Sequence, residues 1–191
     1  MKVRRITKGG IINILLVGLL LLIVFVPDAK AAVIKGLMTV GFFKPDIETK
    51  AGKPINADVK FQNGQGDVIS LNDLKGKVVF INFWATWCPP CRAEMPSVDN
   101  LYRQFSTDKK FVFITVDADG NYAKAKKFLD RRKFALPLYT IASNVPSELF
   151  SGQLPTTVVL NKKSELVFRH EGMADYSDKK FSDYLKKLSE E

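Results

Sequence analysis

The fold is decided by one stretch of the 191-residue chain, VVFINFWATWCPPC, which covers residues 78–91. Its first part, residues 78–83, is apolar except for Asn82 and consists of β-branched and aromatic residues, the composition of a strand covered on both faces. The two prolines that follow favour the first turn of a helix, because the N–H that proline lacks would have no partner there. The stretch therefore predicts a buried strand that leads into a helix, with Cys88 and Cys91 at the junction.

Cys88 and Cys91 are the only cysteines of the sequence, and their placement favours redox chemistry. At a helix N-terminus the partial positive charge and the unpaired N–H groups stabilise a thiolate, so we expect a lowered pKa for Cys88. Cys91 lies one turn further on the same face and can close a disulfide with Cys88 after that thiolate has attacked another disulfide. A structural zinc site needs about four protein ligands, and the chain offers one histidine, His170, besides the cysteines. We expect a redox dithiol, without a metal and without a cofactor.

The charge of the chain gives no indication of nucleic-acid binding. The formal net charge is +9, but residues 1–57 hold nine Lys or Arg and three Asp or Glu, so residues 58–191 carry only +3. No cluster of arginines with interleaved aromatic residues is present. We therefore expect no nucleic-acid partner.

The N-terminal 26 residues read as a membrane anchor or a signal segment. Four basic residues, Lys2, Arg4, Arg5 and Lys8, precede an uncharged and largely apolar run over residues 11–26. As a helix this run is about 24 Å long, close to the hydrocarbon thickness of a bilayer once the preceding glycines are added. Because basic flanks stay in the cytoplasm, the remainder of the chain is expected to be exported.

Two interpretations of this segment compete. Ala29-Lys30-Ala31 after Pro27 is a small-x-small pattern typical of signal-peptide cleavage, which would leave a soluble periplasmic protein. Residues 33–43, however, continue apolar, and a tethered protein can lay such a segment on the bilayer surface. We favour a single uncleaved anchor in the cell membrane with the domain on the extracytoplasmic, periplasmic side. Residues 27–57 are predicted to be an apolar juxtamembrane segment and linker.

Residues 58–191 predict one α/β domain. Strand, helix, strand and helix follow one another after residue 78, which implies parallel pairing through right-handed crossovers. The remaining predicted elements are a β-hairpin at 58–71, a helical turn at 72–76, a helix from 89 to about 105, a strand at 111–116, a helix at 121–132, a short strand at 138–141, a short helix at 147–150, a hairpin formed by 156–160 and 166–169, and an amphipathic helix at 177–188.

Several motifs together resemble the thioredoxin superfamily. They are Phe83-Trp84-Ala85 before Trp87-Cys88-Pro89-Pro90-Cys91, Pro96 five residues beyond the second cysteine, and Leu154-Pro155-Thr156-Thr157 before a late hairpin. The hairpin at 58–71, Leu74-Lys75-Gly76-Lys77 and Cys91-x-x-Glu94 are similar to the membrane-tethered extracytoplasmic thiol-disulfide oxidoreductases often called TlpA/ResA-like. The resemblance implies a thioredoxin-like fold: a central mixed sheet flanked by helices, with an added N-terminal β-hairpin.

The resemblance also implies roles for single residues. Cys88 would be the nucleophile, Cys91 the resolving thiol, and Pro155 a cis-proline that lies against the cysteine pair. Leu154 would present backbone groups to a bound peptide, which pairs as an added strand. The substrate-binding residues would be Trp87, Pro89, Pro90, Leu154, Pro155 and Thr156. Trp84 is better explained as a core aromatic residue.

One position departs from thioredoxin itself. Thioredoxin has a buried Asp that helps with proton transfer at the position where this sequence has Asn82, and an amide cannot exchange a proton. Glu94 matches an acidic residue that the subfamily places beneath the cysteines. Burial would raise the pKa of Glu94 towards the working range and let it accept a thiol proton. The alternative is an ordinary solvated glutamate on the first helix of the domain.

The expected function is exchange of electrons with protein disulfides and dithiols outside the cytoplasm. The resemblance favours a reductase, for example in cytochrome c maturation, that a membrane electron donor keeps reduced. The alternative is a copper or thiol-metal carrier that uses Cys88, Cys91 and His170, although a surface position on a strand suits His170 better. A peroxidase is not expected, because Ala85 stands where peroxiredoxins need a threonine.

Overall fold

The computed structural model of the protein describes residues 8–26, 29–30, 33, 36, 43–45 and 52–191. The predicted cleavage position at Ala31 and most of the predicted apolar juxtamembrane segment lie outside the described residues. The elements are α1 (Lys8–Phe25), β1 (Lys53–Pro54), β2 (Lys60–Gln62), β3 (Val68–Ser70), a 3-10 helix (Leu71–Leu74), β4 (Val78–Trp84), α2 (Pro89–Phe105), β5 (Phe111–Asp117), α3 (Tyr122–Arg132), β6 (Leu138–Ile141), β7 (Thr156–Leu160), β8 (Glu165–Glu171) and α4 (Lys179–Glu190).

One mixed sheet with the strand order β1-β8-β7-β4-β5-β6-β2-β3 organises the domain. Strand β4 lies at its centre, parallel to β5 and antiparallel to β7. Strand β6 continues parallel to β5, and the β2–β3 hairpin extends the sheet antiparallel to β6. The predicted thioredoxin-like fold with an added hairpin is confirmed.

The two faces of the sheet bury separate apolar clusters. Successive residues of a strand point to opposite faces, so Phe80 packs with Met95 and Phe181 of the helices, whereas Ile81 packs with Phe61 on the other face. All seven residues of β4 are buried. The strand is thus covered on both faces, as its composition predicted.

The predicted short helix at 147–150 is wrong. The segment forms a single turn, in which the N–H groups of Leu149 and Phe150 both donate to the carbonyl of Pro146. The two bonds close one turn, and no helix is formed over residues 147–150. Phe150 instead stacks on the ring of Phe83, with ring centroids 4.5 Å apart.

The segment predicted as a linker contributes an edge strand. Lys53 and Pro54 form β1, which pairs antiparallel with Leu166 and Glu165 of β8. This pairing uses main-chain groups, and both β1 side chains are exposed. The sequence therefore carried no apolar alternation that would have predicted it.

The N-terminal helix α1 contains 18 residues. Among the residues that the structure describes, no helix combines the length and the apolar character needed to cross a membrane.

Candidate active site

The two cysteines form a disulfide at the start of α2, with their Cα atoms 5.3 Å apart. Cys88 is the N-cap residue of this helix, and its Sγ accepts the N–H of Cys91 at 3.3 Å. Pro89 and Pro90 occupy the first helical positions, where no hydrogen bond is lost. The predicted place of Cys88 at a helix N-terminus is confirmed, and with it the source of positive potential that stabilises a thiolate.

The surroundings of the disulfide are asymmetric. Cys88 keeps 3% of its surface and Cys91 none, while the neighbouring Trp87 is 57% exposed. Trp84 is fully buried and its ring lies 5.5 Å from that of Phe128. Trp84 is thus a core residue, whereas Trp87 presents an exposed aromatic side chain next to Cys88.

The loop before β7 lies at the end of β4 that leads into the cysteine motif. The peptide bond between Leu154 and Pro155 is cis, as the resemblance implied. Strand β7 pairs with β4 so that Thr156 is opposite Phe83, which brings Pro155 to the end of β4 from which the cysteine motif continues. Thr156 is buried and its hydroxyl donates to the carbonyl of Gln153 at 2.7 Å. Leu154 is half-buried, and Pro155 is buried.

A buried polar cluster lies on the core side of α2. The side-chain amide of Asn82 donates to Oε1 of Glu94 at 2.8 Å and to the hydroxyl of Thr157 at 2.9 Å. The backbone N–H of Ala174 donates to Oε2 of Glu94 at 3.2 Å. Asn82 and Glu94 have no exposed surface and Thr157 has 1%. Asn82, at the position of the usual acid, therefore holds the carboxyl group that α2 supplies.

Burial controls the proton affinity of Glu94. Removal from water raises the pKa of this carboxyl group from 4.5 to about 8, although the hydrogen bonds from Asn82 and Ala174 favour the ionised form. The alternative of a solvated surface glutamate is wrong. Glu94 follows Cys91 by three positions, so both belong to one face of α2. The site thus contains a buried carboxyl group whose pKa is raised towards neutral pH.

Tyr176 is a further member of the cluster, and the sequence did not indicate it. Its side chain is fully buried, and its pKa is raised well above the usual value, first by burial and then by the charge of Glu94. Its backbone N–H donates to the hydroxyl of Ser97 at 3.1 Å. Thr157 belongs to the Leu154-Pro155-Thr156-Thr157 motif, but nothing in the sequence indicated its contact with Asn82. Neither residue has a fixed spacing from Glu94 in sequence, so only the fold brings them together.

Residues 43–45 contact the same end of the domain. Phe43 packs against Ala93 and Met173, and its carbonyl accepts the N–H of Asp175 at 2.7 Å. Lys44 forms an ion pair with Asp178 at 3.1 Å. This segment therefore touches both α2 and the loop that donates a hydrogen bond to Glu94.

The carrier alternative requires Cys88, Cys91 and His170 to act together. His170 lies on β8 opposite Thr157, half-buried, with its ring stacked against Phe168. Within the described ranges no group of three or more His, Cys, Asp or Glu side chains is arranged to hold a metal ion. The structure offers no support for the carrier alternative.

Known proteins are similar to this chain both in sequence and in fold. Residues 51–169 match the family described as AhpC/TSA. The thiol-disulfide oxidoreductase ResA of Halalkalibacterium halodurans is 34% identical over 124 residues, which are 64% of this chain and 70% of the relative. The protein of the same name from Bacillus thuringiensis is 31% identical over 150 residues, 78% of this chain and 84% of the relative.

Solved structures share the fold. StoA from Bacillus subtilis superposes with a TM-score of 0.52 at 24% identity, covering 71% of this chain and 98% of StoA. A thiol:disulfide interchange protein of the thioredoxin family from Chlorobium tepidum has a TM-score of 0.57 at 22% identity, covering 74% of this chain and 99% of that protein. The family match over residues 51–169 and the ResA relatives together show that the chain belongs to the thioredoxin-like AhpC/TSA family and is a thiol-disulfide oxidoreductase.

Proposed function

We propose that the chain reduces disulfides of exported proteins while its N-terminal segment holds it at the extracytoplasmic face of the cell membrane. One observation carries the catalytic part of this proposal: Cys88 is at the helix N-terminus beside exposed Trp87, whereas Cys91 is fully buried above a core that contains Glu94. Cys88, which keeps 3% of its surface and lies beside exposed Trp87, suits attack on a substrate, and the fully buried Cys91 suits resolution.

The reaction is a two-electron exchange. The thiolate of Cys88 attacks one sulfur of a substrate disulfide, the substrate S–S bond breaks, and the leaving sulfur takes up a proton. Cys91 then loses its proton and attacks the sulfur of Cys88, which releases the second substrate thiol. The substrate ends as a dithiol and the enzyme as the Cys88–Cys91 disulfide, and a membrane-bound dithiol donor restores the reduced enzyme.

Glu94 is proposed to accept the proton of Cys91. A carboxyl group with a pKa of about 8 is partly ionised near neutral pH and returns the proton readily. The hydrogen bond from Asn82 keeps the carboxyl group in place in both protonation states. The side-chain amide of Asn82 thus orients the carboxyl group of Glu94, and this carboxyl group accepts and returns the proton.

Membrane attachment is supported by the surface of α1. The large apolar side chains described between Ile11 and Val26 are between 41% and 76% exposed. A contiguous apolar surface of this kind is unfavourable in water and is covered in the working protein by lipid or by another chain. The basic residues before α1 favour a cytoplasmic start and an exported domain.

The direction of electron flow and the substrate class come from the resemblance. The resemblance favours a reductase that acts, for example, in cytochrome c maturation. A Cys91→Ser variant leaves the mixed disulfide on Cys88 unresolved, so its partners can be isolated from cells and identified. We expect exported proteins with paired cysteines to be trapped, and none with Cys88→Ser in the same background.

The in vivo redox state tests the direction. Alkylation of acid-quenched cells should show the cysteines of the wild-type protein mainly as thiols. A largely oxidised pool at steady state would contradict a reductase and favour an oxidase. Cell fractionation tests the location: the protein should stay with membranes after an alkaline wash and leave them in detergent, whereas recovery of a shortened soluble form would support signal cleavage.

A further inference from the structure

Helix α3 carries the positive charge of the domain. Residues 122–133 contain six basic residues and one acidic residue, a net charge of +5, whereas residues 58–191 as a whole carry +3. The rest of the domain is therefore net negative by two charges. The basic residues are Lys124, Lys126, Lys127, Arg131, Arg132 and Lys133, and all six are exposed. Of the acidic residues near this helix, Asp130 pairs with Lys126, and Asp119 precedes the helix.

This basic surface adjoins the redox site. Phe128 of α3 contacts Trp84, and the guanidinium groups of Arg92 and Arg132 lie 5.3 and 5.9 Å from the centre of its ring. Arg92 belongs to α2, and its backbone N–H donates to the carbonyl of Cys88. The positive surface of α3 thus continues through Arg92 to the turn that holds the nucleophile.

The chemistry of this surface suits anionic groups. Arginine binds carboxylates with paired hydrogen bonds. A positive surface beside a reactive group also concentrates negatively charged partners and raises their association rate.

We propose that α3 together with Arg92 is the docking surface for protein partners that present acidic residues beside their disulfide or dithiol. A protein is favoured over an anionic bilayer, because a bilayer on this surface would lie next to Cys88 and Trp87 and restrict access to them. The inference rests on the proposed exchange with protein disulfides, and it holds for either direction of electron flow.

The test compares two triple substitutions with the same loss of charge. Lys124→Gln, Lys127→Gln and Arg131→Gln remove three exposed charges from α3. Lys109→Gln, Lys110→Gln and Lys163→Gln remove three exposed charges at the opposite end of the sheet, where the carbonyl of Lys110 accepts the N–H of Val78 at the start of β4. Neither set includes a residue of the active site.

The probes are two disulfide-bonded peptides of equal length, one flanked by aspartates and one by lysines, and a small neutral disulfide. For the wild-type full chain in detergent, we expect kcat/KM for the acidic peptide to exceed that for the basic peptide by about tenfold or more at low salt. The preference should vanish at high salt, because added ions screen charges beyond about 10 Å at 0.1 M. It should also vanish in the α3 triple variant and persist in the control variant.

Each result decides between distinct explanations. Equal rates for both peptides in the wild type, or equal losses in the two triple variants, would overturn the docking surface. Failure to reduce even the neutral disulfide would instead overturn the proposed exchange. Anionic vesicles that bind the wild type and the control variant but not the α3 variant, with no preference between peptides, would assign the surface to lipid and reject the proposal.

Discussion

Helix α2 carries two reactive groups in opposite environments, one near the surface of the active site and one in the core. At the start of α2, Cys88 lies beside exposed Trp87, and its Sγ accepts the backbone N–H of Cys91. About two turns further, buried Glu94 accepts hydrogen bonds from Asn82, which also donates to Thr157, and from the N–H of Ala174. At the surface a charge is stabilised by the helix, whereas in the core a charge is opposed by burial. The difference separates the attacking sulfur from the group that handles protons.

The sharpest test of this division is removal of the nucleophile. Cys88→Ser should abolish disulfide exchange, since a serine hydroxyl does not form or attack disulfides. Cys91→Ser should still react once and accumulate the mixed disulfide. Both are measured by single-turnover reduction of a small disulfide. Comparable turnover in the two variants would contradict the assignment of Cys88 as the attacking sulfur.

Loss of the buried acid should give the next largest effect. Glu94→Gln should shift the pKa values of the cysteine thiols and slow reduction of a small disulfide by about a hundredfold, because the proton acceptor is gone while the hydrogen bond from Asn82 can persist. Thiol titration and stopped-flow kinetics measure the two effects. An unchanged thiol titration would reject the proton-transfer role of Glu94.

Glu94 should also make stability depend on pH. Its pKa of about 8 in the folded chain exceeds the ordinary value of 4.5, so the folded state binds more protons between these two values. The free energy of unfolding should therefore fall as pH rises through this window, by about 1.4 kcal/mol per pH unit from this group, and level off above it. Denaturant unfolding of the oxidised protein measures this slope.

The variant Glu94→Gln isolates the contribution of this one group. The free energy of unfolding of this variant should lack the decrease that titration of Glu94 causes. The difference in unfolding free energy, variant minus wild type, should therefore become more positive from pH 5 to pH 8. Parallel pH profiles for the two proteins would show that Glu94 does not titrate in this window.

Placing a second carboxyl group beside Glu94 tests how strongly the core opposes a buried charge. Asn82→Asp replaces the amide that donates to Glu94 by a carboxyl group at the same short distance. The two acids would compete for protons, and we expect a loss of about 1–3 kcal/mol in unfolding free energy at neutral pH. Asn100→Asp, the same substitution at an exposed position of α2, is the control and should have little effect. Equal stability of both variants would indicate that water reaches the cluster.

The smallest effect is expected at the surface aromatic residue. Trp87→Ala should change stability by no more than about 0.5 kcal/mol, because the side chain is largely exposed. It should lower kcat/KM for peptide disulfides by a few fold and leave a small disulfide unaffected. The buried Trp84 is the opposite case: Trp84→Ala should cost about 3–5 kcal/mol of stability. Equal kinetic losses for both kinds of disulfide with Trp87→Ala would contradict a role in partner contact.

The sequence by itself determined the central strand, the helix that follows and the position of Cys88 at their junction. A run of apolar β-branched and aromatic residues, interrupted only by Asn82, is a strong signal for a doubly covered strand, and proline is favoured at the first turn of a helix. The same local signals predicted the two hairpins and α4. They failed for residues 147–150, where Pro146 accepts two bonds without starting a helix.

Only the tertiary structure decided whether Glu94 is a buried acid or a solvated surface residue. From its spacing to Cys91 a solvated glutamate and a buried acid were both possible, because the pKa depends on how much water surrounds the carboxyl group. Asn82, Thr157 and Ala174 come from three separate segments. Asn82 and Ala174 reach Glu94, and Thr157 reaches Asn82, only when β4, β7 and the loop after β8 assemble around α2. Desolvation is a property of that assembly, so no local pattern of residues can encode it.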